Sequence, residues 1–365
     1  METEDSLKSV SEQFSIEGNF TASKAIGNGH INDTYLIETD SGRRTKKYVL
    51  QRINHHIFKN VDELMENIVR VTEHIKMQSE LEGDDCIEGR ELEVICTKSQ
   101  RNYFRCQKGN YWRMYNYIAD TCSYDVPEKI DQIYEAAGAF GRFQRHLANL
   151  PAPPLHETIP DFHNGLKRYR DFTDALEKDL CQRAEAVRHE IDFIVSHKTI
   201  FQQVADLIEQ GRLPIRITHN DTKVNNVLID NKTGRGICVI DLDTVMPGLV
   251  LYDFGDLVRT TVSPTEEDEQ DLSKIFIDRL RFEAIAEGFL AQAGCFLTAA
   301  ERATLYLGGQ MLTLIMATRF LADYLAGDTY YKTHRPGHNL DRCKTQIRLV
   351  ELLEEQKDDL LSVIN

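Results

Sequence analysis

The 365-residue chain contains one stretch in which acidic and amide side chains recur at a spacing suited to phosphoryl transfer. Asp221 follows His219 by two positions, and Asn226 comes five positions after Asp221. The stretch ends in D-L-D, at Asp241 and Asp243. Phosphoryl transfer needs a carboxylate that orients the attacking hydroxyl and hard oxygen ligands that hold Mg²⁺. We predict that Asp221 orients or deprotonates the hydroxyl. Asn226 and Asp241 are predicted to hold the metal, which Asp243 would share.

Two short apolar runs separated by a polar turn connect Asn226 to Asp241. Residues 227–229 and 237–240 are rich in β-branched side chains, and Gly234 lies in the turn between them. This pattern predicts a β-hairpin, which would return Asp241 to the loop that carries the earlier residues. An ordinary surface loop is the alternative, because Asn, Asp and Gly are common in turns. Agreement in residue type, order and spacing favours the catalytic interpretation.

This stretch resembles the aminoglycoside phosphotransferase and choline kinase superfamily, whose loop has the form H-x-D-x-x-x-x-N, followed by a strand and I-D. Three segments are similar to one branch, the N-acetylhexosamine 1-kinases: T-H-N-D-T-K-V-N-N-V-L, V-I-D-L-D-T-V-M-P-G and Y-D-F-G-D. Members of that branch phosphorylate the anomeric hydroxyl of N-acetylhexosamines. The resemblance covers nearly the whole chain. It implies an α+β, protein-kinase-like fold of two lobes, with ATP as phosphoryl donor and Mg²⁺ as cofactor.

A second phosphate-binding feature is predicted near the N-terminus. Gly27, Asn28 and Gly29 form a Gly-x-Gly turn between two predicted strands, where backbone amides can approach phosphates without side-chain clashes. A plain hairpin turn is the alternative. The position of the turn in a kinase-like chain favours these three residues as nucleotide-binding. The resemblance implies that the next residue, His30, contacts the acceptor.

The strand predicted over residues 47–54 lacks an expected cation. Kinase-like folds carry a lysine here that pairs with the nucleotide phosphates. Alignment places Gln51 at that position, and Arg52 points to the opposite face because strand side chains alternate. Gln51 is therefore predicted to lie at the nucleotide site, while the cation that replaces the lysine is left open.

The remaining elements of the first lobe follow from hydrophobic periodicity. Apolar residues recur with helical spacing over 61–78. Antiparallel strands are predicted over residues 92–97, 103–107 and 111–117.

Residues 114–119 are predicted to connect the two lobes. Adenine binds the backbone of this connection in kinase-like folds, so Tyr115 is included among the nucleotide-binding residues. A boundary near residue 119 gives a nucleotide-binding lobe over 1–119, with an antiparallel sheet and a helix. The mostly helical lobe over 120–365 would carry the catalytic and acceptor-binding residues.

Two acidic residues of the segment Y-D-F-G-D, Asp253 and Asp256, are predicted to hydrogen-bond the backbone of the catalytic loop. The arginines between residues 165 and 190, among them Arg168, alternate with acids and are predicted to lie on solvated faces. Residues 341–363 are predicted as a single closing helix. The uncharged run 303–318 is shorter than the roughly 20 apolar residues of a membrane span, which favours a buried helix.

Arg319 follows that apolar run and has two interpretations. It could form an i,i+4 ion pair with Asp323 on the same helix. It could instead donate hydrogen bonds to the acetamido or ring oxygens of a sugar. The motif R-F-L-A-D-Y-L-A-G-D-T-Y resembles the hexosamine kinase branch, in which the first and last residues contact the substrate. The resemblance implies that role for Arg319 and Tyr330.

Charge and cysteine content restrict the classes of partner. The formal net charge of −15 disfavours nucleic acids and anionic membranes, because both need a basic surface. The eight cysteines show no C-x-x-C pair and are expected to be free thiols in a reducing cytosol. No apolar signal region is evident at the N-terminus. We expect a cytoplasmic protein whose partners are a nucleotide and a small sugar.

The predicted function is ATP- and Mg²⁺-dependent phosphorylation of the 1-hydroxyl of an N-acetylhexosamine. One alternative is a kinase of the same fold that acts on another small alcohol, such as an aminoglycoside, choline or homoserine. Arg319 disfavours a cationic acceptor if it faces the cleft. The other alternative is a catalytically silent binding protein. It draws support only from the missing strand lysine, against the complete set of Asp221, Asn226 and Asp241.

Overall fold

A computed structural model describes residues 2–26, 31–83 and 89–364, and it has the predicted α+β architecture. The N-terminal sheet is antiparallel, with strands in the order β1-β2-β3-β5-β4. Its strands are β1 Asn19–Ala25, β2 Asp33–Asp40, β3 Thr45–Ile53, β4 Phe104–Arg105 and β5 Tyr111–Asn116.

The two faces of this sheet are covered by different helices. Helix α1 (Glu4–Ser11) packs on one face against a cluster that contains the buried Trp112. Helix α2 (Val61–Glu82) packs on the opposite face, in a cluster that also contains Tyr115. That second cluster continues into the C-terminal lobe. The opposite placement of Trp112 and Tyr115 follows from strand alternation, since they are three positions apart on β5.

Residues 92–97, predicted as a strand, do not form one. The segment pairs with β5 through an isolated bridge between Val94 and Tyr115. Further along, the carbonyl of Cys96 accepts from Ser15, which belongs to the segment after α1. The hydrogen bonds of residues 92–97 are thus divided between two neighbours, and no continuous ladder forms. The strand predicted over 103–107 is reduced to the two residues of β4.

The C-terminal lobe contains small antiparallel sheets beside the cleft. Strands β6 Thr121–Cys122, β8 Val227–Asp230 and β9 Gly236–Val239 form one sheet. Strands β7 Arg216–Thr218 and β10 Met246–Gly248 form another. Two short 3₁₀ turns, at Val224–Asn226 and Leu242–Thr244, contain the predicted site residues Asn226 and Asp243. The last strand of the five-stranded N-terminal sheet ends at Asn116. The division into domains at residue 119 stays a prediction.

The rest of this lobe is helical. Its helices are α3 Ile130–Leu147, α4 Gly165–Lys178, α5 Arg188–Ser196, α6 Lys198–Glu209, α7 Val250–Thr261, α8 Arg279–Ala293, α9 Ala299–Leu325, α10 His338–Glu355 and α11 Lys357–Ile364. The single closing helix predicted over 341–363 is wrong, because the backbone leaves the helical region at Gln356. Helix α9 is long and apolar enough to cross a membrane. However, 72% of its most apolar stretch of 18 residues is buried within the protein, as expected for a core helix.

Helices α7 and α9 cross with their backbones in contact. A methyl carbon added at Gly255 would lie 2.3 Å from the carbonyl oxygen of Gly308, and one added at Gly308 would lie 2.2 Å from that of Leu251. The crossing therefore requires glycine at both positions. It matters for the site because α7 carries Asp253 and Asp256.

We expect Gly255→Ala to destabilise the protein by about 1–3 kcal/mol, the usual cost of overpacking a close contact. Gly138→Ala on α3 is the matched control, since its added carbon would lie no closer than 3.4 Å to another atom. Thermal unfolding should show a lower Tm for Gly255→Ala and an unchanged or higher Tm for Gly138→Ala. Equal melting temperatures would contradict the close crossing.

Candidate active site

The hairpin β8–β9 brings the two predicted metal ligands together, as the sequence predicted. The backbone N–H of Ile240 donates to the carbonyl of Asn226 at 2.9 Å, so the residue after Ile240 lies beside Asn226. That residue is Asp241, whose backbone has the left-handed φ of 62°. Gly234 occupies the turn with a φ of 74°. A left-handed non-glycine residue is uncommon and needs surrounding structure to hold it.

Asp221 lies between an amide and an ammonium group. The side-chain amide of Asn226 donates to the backbone carbonyl of Asp221 at 2.9 Å and to its carboxylate at 3.3 Å. This orientation, which the hydrogen bonds select, leaves the amide oxygen of Asn226 available as a metal ligand. Nζ of Lys223 lies 2.9 Å from the other carboxylate oxygen of Asp221. The side chain of Asp221 is still 28% exposed to the cleft.

Lys223 determines the charge state of Asp221. Protein atoms surround the carboxyl group and burial alone would raise its pKa, but the charge of Lys223 and its hydrogen bond bring the pKa below the usual value. Asp221 in turn raises the pKa of Lys223. Sequence analysis missed Lys223. Its place two positions after Asp221 was the available signal, since residues two apart in an extended segment point the same way.

The loop before Asp221 is held by a carboxylate from α7. Asp253 is fully buried and accepts hydrogen bonds from the backbone N–H groups of His219, at 2.9 Å, and Asn220, at 2.7 Å. Asp256 accepts from the N–H of Thr222 at 2.9 Å. The bracing role predicted for Asp253 and Asp256 is confirmed.

His219 connects this loop to the hairpin. Its ring packs edge-on against Phe140 and Phe143, with centroids 5.2 and 5.7 Å away. Nε2 donates to the carbonyl of Ile240 at 3.0 Å, and Nδ1 is then left to accept from the N–H of Asp221 at 3.3 Å. The ring therefore joins the residue before Asp241 to Asp221 itself.

Asp241 faces the cleft with its carboxylate unpaired. Within the described residues no donor reaches this carboxylate. Protein atoms around the group, together with the charges of Asp243 and Asp221, raise its pKa to about 6. An uncompensated carboxylate of this kind fits a cation site.

The donor set around Asp241 suits Mg²⁺. In the part of the chain that the structure describes, no group of three His, Cys, Asp or Glu side chains is arranged to hold a metal. Mg²⁺ is usually bound by one or two protein ligands, with phosphate oxygens and water completing its coordination. Asp241 and Asn226 provide two such oxygen ligands. Their metal role stays a prediction that this geometry favours.

Asp243 points away from Asp241, toward the first lobe. One carboxylate oxygen accepts from Asn32 Nδ2 at 2.6 Å, and the other forms an ion pair with Arg113. Only 4% of the Asp243 side chain is exposed. Each oxygen of this carboxylate thus already has one donor, and the metal role predicted for Asp243 stays a prediction.

The nucleotide-site residues predicted on β3 and β5 surround Arg113. Gln51 accepts from Arg113 Nε at 2.9 Å and donates to Thr34 Oγ1 at 3.0 Å. The Arg113 guanidinium lies 5.3 Å from the ring centroid of Tyr115, whose pKa is raised by burial. Sequence analysis missed Arg113, although it is the one charge within the apolar strand Y-W-R-M-Y-N. The predicted residues Gly27, Asn28, Gly29 and His30 lie outside the described residues.

The region predicted to bind the acceptor lies near the carbonyl of Asn220. His163 donates to this carbonyl from Nε2 at 3.0 Å, and burial lowers the His163 pKa to about 4. The neighbouring Phe162 ring lies 5.8 Å from the guanidinium of Arg319. Arg319 is thereby placed near the residue that precedes Asp221.

The guanidinium of Arg319 lies among aromatic rings. Besides Phe162, the rings of Tyr330 and Tyr331 have their centroids 5.7 and 5.4 Å away, distances at which cation–π attraction operates. Among the residues that the structure describes, no carboxylate pairs with Arg319. The structure thus brings Arg319 and Tyr330 together, as their shared predicted role requires.

The i,i+4 ion pair considered for Arg319 is wrong. The buried carboxylate of Asp323 instead accepts from the backbone N–H groups of three consecutive residues, at 2.8–2.9 Å, and from Asn339. Those residues are Thr329, Tyr330 and Tyr331. Backbone amides without another acceptor compete better for a buried carboxylate than a neighbouring side chain does.

Arg168 also departs from its prediction. It was expected on a solvated face, but only 18% of its side chain is exposed. Its guanidinium donates to the carbonyl of Phe162 at 3.1 Å. Burial lowers the pKa of Arg168, and the nearby charge of Arg319 lowers it further. Two guanidinium groups therefore lie near Phe162, and that of Arg168 also lies 3.6 Å from the carboxylate of Asp171.

Comparison with known proteins identifies the family and the fold. Residues 23–296 match the sequence profile of the phosphotransferase enzyme family, APH. The chain belongs to the phosphotransferase enzyme family. Its fold is similar to solved structures of low sequence identity, which support the fold alone.

Three of those structures illustrate the similarity. An aminoglycoside phosphotransferase from Alicyclobacillus acidocaldarius has a TM-score of 0.61 and 13% identity, over 96% of this chain and 95% of that one. A spectinomycin phosphotransferase in complex with ADP and spectinomycin has a TM-score of 0.57 and 12% identity, over 93% and 94%. Plasmodium vivax ethanolamine kinase has a TM-score of 0.54 and 11% identity, over 89% and 82%.

In this phosphotransferase, Asp221→Asn should lower kcat by at least about a hundredfold, the usual scale for a positioned acid or base. The fold and the affinity for ADP should be kept, because the amide preserves the shape of the side chain. Asp192→Asn, an exposed position on α5, is the control. Near-normal turnover in Asp221→Asn would remove Asp221 from the reaction.

The pH dependence should report the pairing of Asp221 with Lys223. The carboxylate is active when ionised, and its lowered pKa keeps it ionised as the pH falls. Lys223→Met removes the strongest influence that opposes burial, so the pKa of Asp221 should rise and the acidic limb of kcat/KM should move to higher pH. Exposed Lys232 on the hairpin turn provides the control, Lys232→Met, which should leave that limb in place. Identical limbs in both variants would contradict the pairing.

Proposed function

We propose that the protein transfers the terminal phosphoryl group of ATP to the anomeric 1-hydroxyl of an N-acetylhexosamine, in a Mg²⁺-dependent reaction. Membership of the phosphotransferase enzyme family supports the reaction type. The position of Arg319 supports the acceptor, and it is the observation that carries the proposal.

Asp221 would receive the acceptor hydroxyl and take its proton. An anomeric hydroxyl is more acidic than an ordinary alcohol, so a carboxylate of modest basicity suffices. Lys223, 2.9 Å from Asp221, keeps that carboxylate ionised and places a positive charge beside the reacting groups. Asn226 and Asp241 would hold Mg²⁺, which when bound neutralises charge on the phosphate oxygens.

The acceptor side favours an oxygen-rich, uncharged ligand. Arg319 offers guanidinium donors that no described carboxylate neutralises, and such donors suit the acetamido carbonyl and hydroxyls of an N-acetylated sugar. Aromatic rings lie on several sides of the guanidinium and would contact the apolar face of a pyranose. The hydrogen bond from His163 to Asn220 links this region to Asp221.

The alternatives receive less support. Two of the similar structures are an aminoglycoside phosphotransferase and an ethanolamine kinase, whose acceptors carry amines. In this chain Arg168 and Arg319 lie close enough for one to lower the pKa of the other. Two cationic groups would repel a cationic acceptor. A catalytically silent protein is disfavoured by the joined set of Asp221, Asn226 and the unpaired Asp241.

The direct test is incubation with ATP, Mg²⁺ and a panel of acceptors. The panel contains N-acetylglucosamine, N-acetylgalactosamine, glucose, choline, ethanolamine and an aminoglycoside. Release of ADP identifies the acceptor, and ³¹P NMR identifies the phosphorylated position. A sugar 1-phosphate formed only from N-acetylated hexosamines would support the proposal. Turnover with an amino alcohol or aminoglycoside alone would overturn it.

Arg319→Ala should separate the sugar kinase from its alternatives. A hydrogen bond that involves a charged group contributes about 1.5–3 kcal/mol, which corresponds to a fall of about 10- to 150-fold in kcat/KM for the sugar. The KM for ATP should barely change, because Arg319 lies on the acceptor side. Arg348→Ala, which removes a guanidinium paired with acids on α10, is the control. An equal loss toward ATP and sugar, or no loss, would remove Arg319 from the acceptor site.

A further inference from the structure

We propose that Arg113 and Asp243 form an interlobe lock that positions Asp241, and that this lock takes the place of the strand lysine absent at Gln51. Arg113 and Asp243 are positioning residues, because they act through Asp241 rather than by touching the substrates. The inference rests on the proposed function for its kinetic readout alone.

The first-lobe half of the lock is built on paired strands. The register of β3 and β5 places Gln51 directly opposite Arg113, so both side chains lie on one face of the sheet. Both ends of the Gln51 amide are used: the oxygen accepts from Arg113 and the nitrogen donates to Thr34. Gln51 therefore orients Arg113, and Thr34 in turn holds the amide of Gln51.

The second-lobe half is the carboxylate of Asp243. One oxygen is paired with Arg113 and the other accepts from Asn32, whose own amide oxygen accepts from the N–H of Asn54. The backbone carbonyl of Asp243 accepts from Thr158 Oγ1 at 2.9 Å within the second lobe. Asp243 is thus held from both sides of the cleft.

The lock is connected to the cleft through a very short segment. Asp243 lies in the turn Leu242–Thr244, and Asp241 immediately precedes that turn with its backbone in the left-handed region. On its other side, Asp241 is fixed by the hydrogen bond of Ile240 to the hairpin. A shift of Asp243 would be transmitted to Asp241 through a single intervening residue.

Burial supports positioning rather than direct contact with the nucleotide. The side chains of Arg113 and Asp243 are 1% and 4% exposed. The guanidinium is also covered by the ring of Tyr115. A buried ion pair whose partners are both satisfied specifies geometry more than it adds stability. The lock therefore fixes the position of the Asp241 segment relative to the first lobe.

The first test removes the cation. Arg113→Met should lower kcat by about tenfold to a hundredfold, the effect of misplacing a reactive group by a fraction of an ångström to one ångström. Arg113→Lys keeps the charge and should recover part of that loss. Arg335→Met, which removes the ion pairs of an arginine elsewhere in the second lobe, is the control for general loss of stability. Equal kcat values for Arg113→Met and Arg335→Met at matched Tm would overturn the proposal.

The second test returns the cation to the neighbouring strand. In the Arg113→Met background, Gln51→Lys places an ammonium opposite the vacated position and within reach of Asp243. This double variant should regain at least about threefold in kcat over Arg113→Met, since cross-strand partners lie about 5 Å apart. A further fall in kcat, with Tm maintained, would show that the cation does not act through Asp243.

The third test distinguishes the lock from a metal site. ADP binding is titrated with Mg²⁺ by calorimetry, without acceptor. Asp241→Asn should weaken Mg²⁺-dependent binding of ADP, and excess Mg²⁺ should restore that binding. Any loss of ADP affinity in Asp243→Asn should remain in excess Mg²⁺. Arg113→Met and Asp243→Asn should be non-additive, as expected for partners in one interaction. Restoration of Asp243→Asn by Mg²⁺ would make Asp243 a metal ligand and overturn the lock.

A metal-free measurement separates this inference from the proposed function. Hydrogen exchange of the Ile240 amide should be faster in Arg113→Met than in wild type and Arg335→Met, because the hairpin end loses its anchor. This readout needs neither acceptor nor nucleotide. If no sugar is phosphorylated but exchange accelerates, the proposed function fails and the lock stands. If sugars are phosphorylated and exchange is unchanged, the lock fails alone.

Discussion

The site depends first on one buried carboxylate. Asp253 accepts the N–H groups of two successive residues and so holds the loop at the point where Asn220 adopts a left-handed backbone. Without that acceptor, two buried amides would lack partners, at a cost of about 1–3 kcal/mol each. Asp253 lies on α7, and the glycine contact with α9 determines how closely the two helices pack. The position of Asp221 is therefore determined by helix packing well behind the cleft.

The two lobes contribute in different ways to the same short segment. The second lobe supplies the side chains predicted to react or to hold the metal, Asp221, Asn226 and Asp241. From the first lobe, Arg113 and Asn32 contact Asp243, which lies two positions after Asp241. The proposed lock would therefore couple the contact between the lobes to the position of Asp241. A chain without the usual strand lysine can thus keep a charged connection between its lobes.

Sequence reasoning succeeded where the determinants are local. The hairpin and the helix that begins at Val61 follow from hydrophobic periodicity and turn chemistry within a few residues. It failed where partners are distant, as for Arg113 and Asp243, which lie 130 positions apart. The i,i+4 pairing rule failed for Arg319 because a loop competed for Asp323. Residues 92–97 alternate like a strand, but their hydrogen bonds are divided between two neighbours.

Given the acceptor role predicted for Tyr330, the contact made by Asp323 bears on how acceptor preference changes during evolution. This carboxylate holds residues 329–331 through their backbone N–H groups, with Asn339 as its other donor, so the contact with the loop is independent of the side chains that the loop displays. Tyr330 is 70% exposed although its amide is held at 2.8 Å. Side chains can therefore be exchanged there while the scaffold stays fixed, as in the loops of an antibody. New acceptors could be explored by this route without loss of folding.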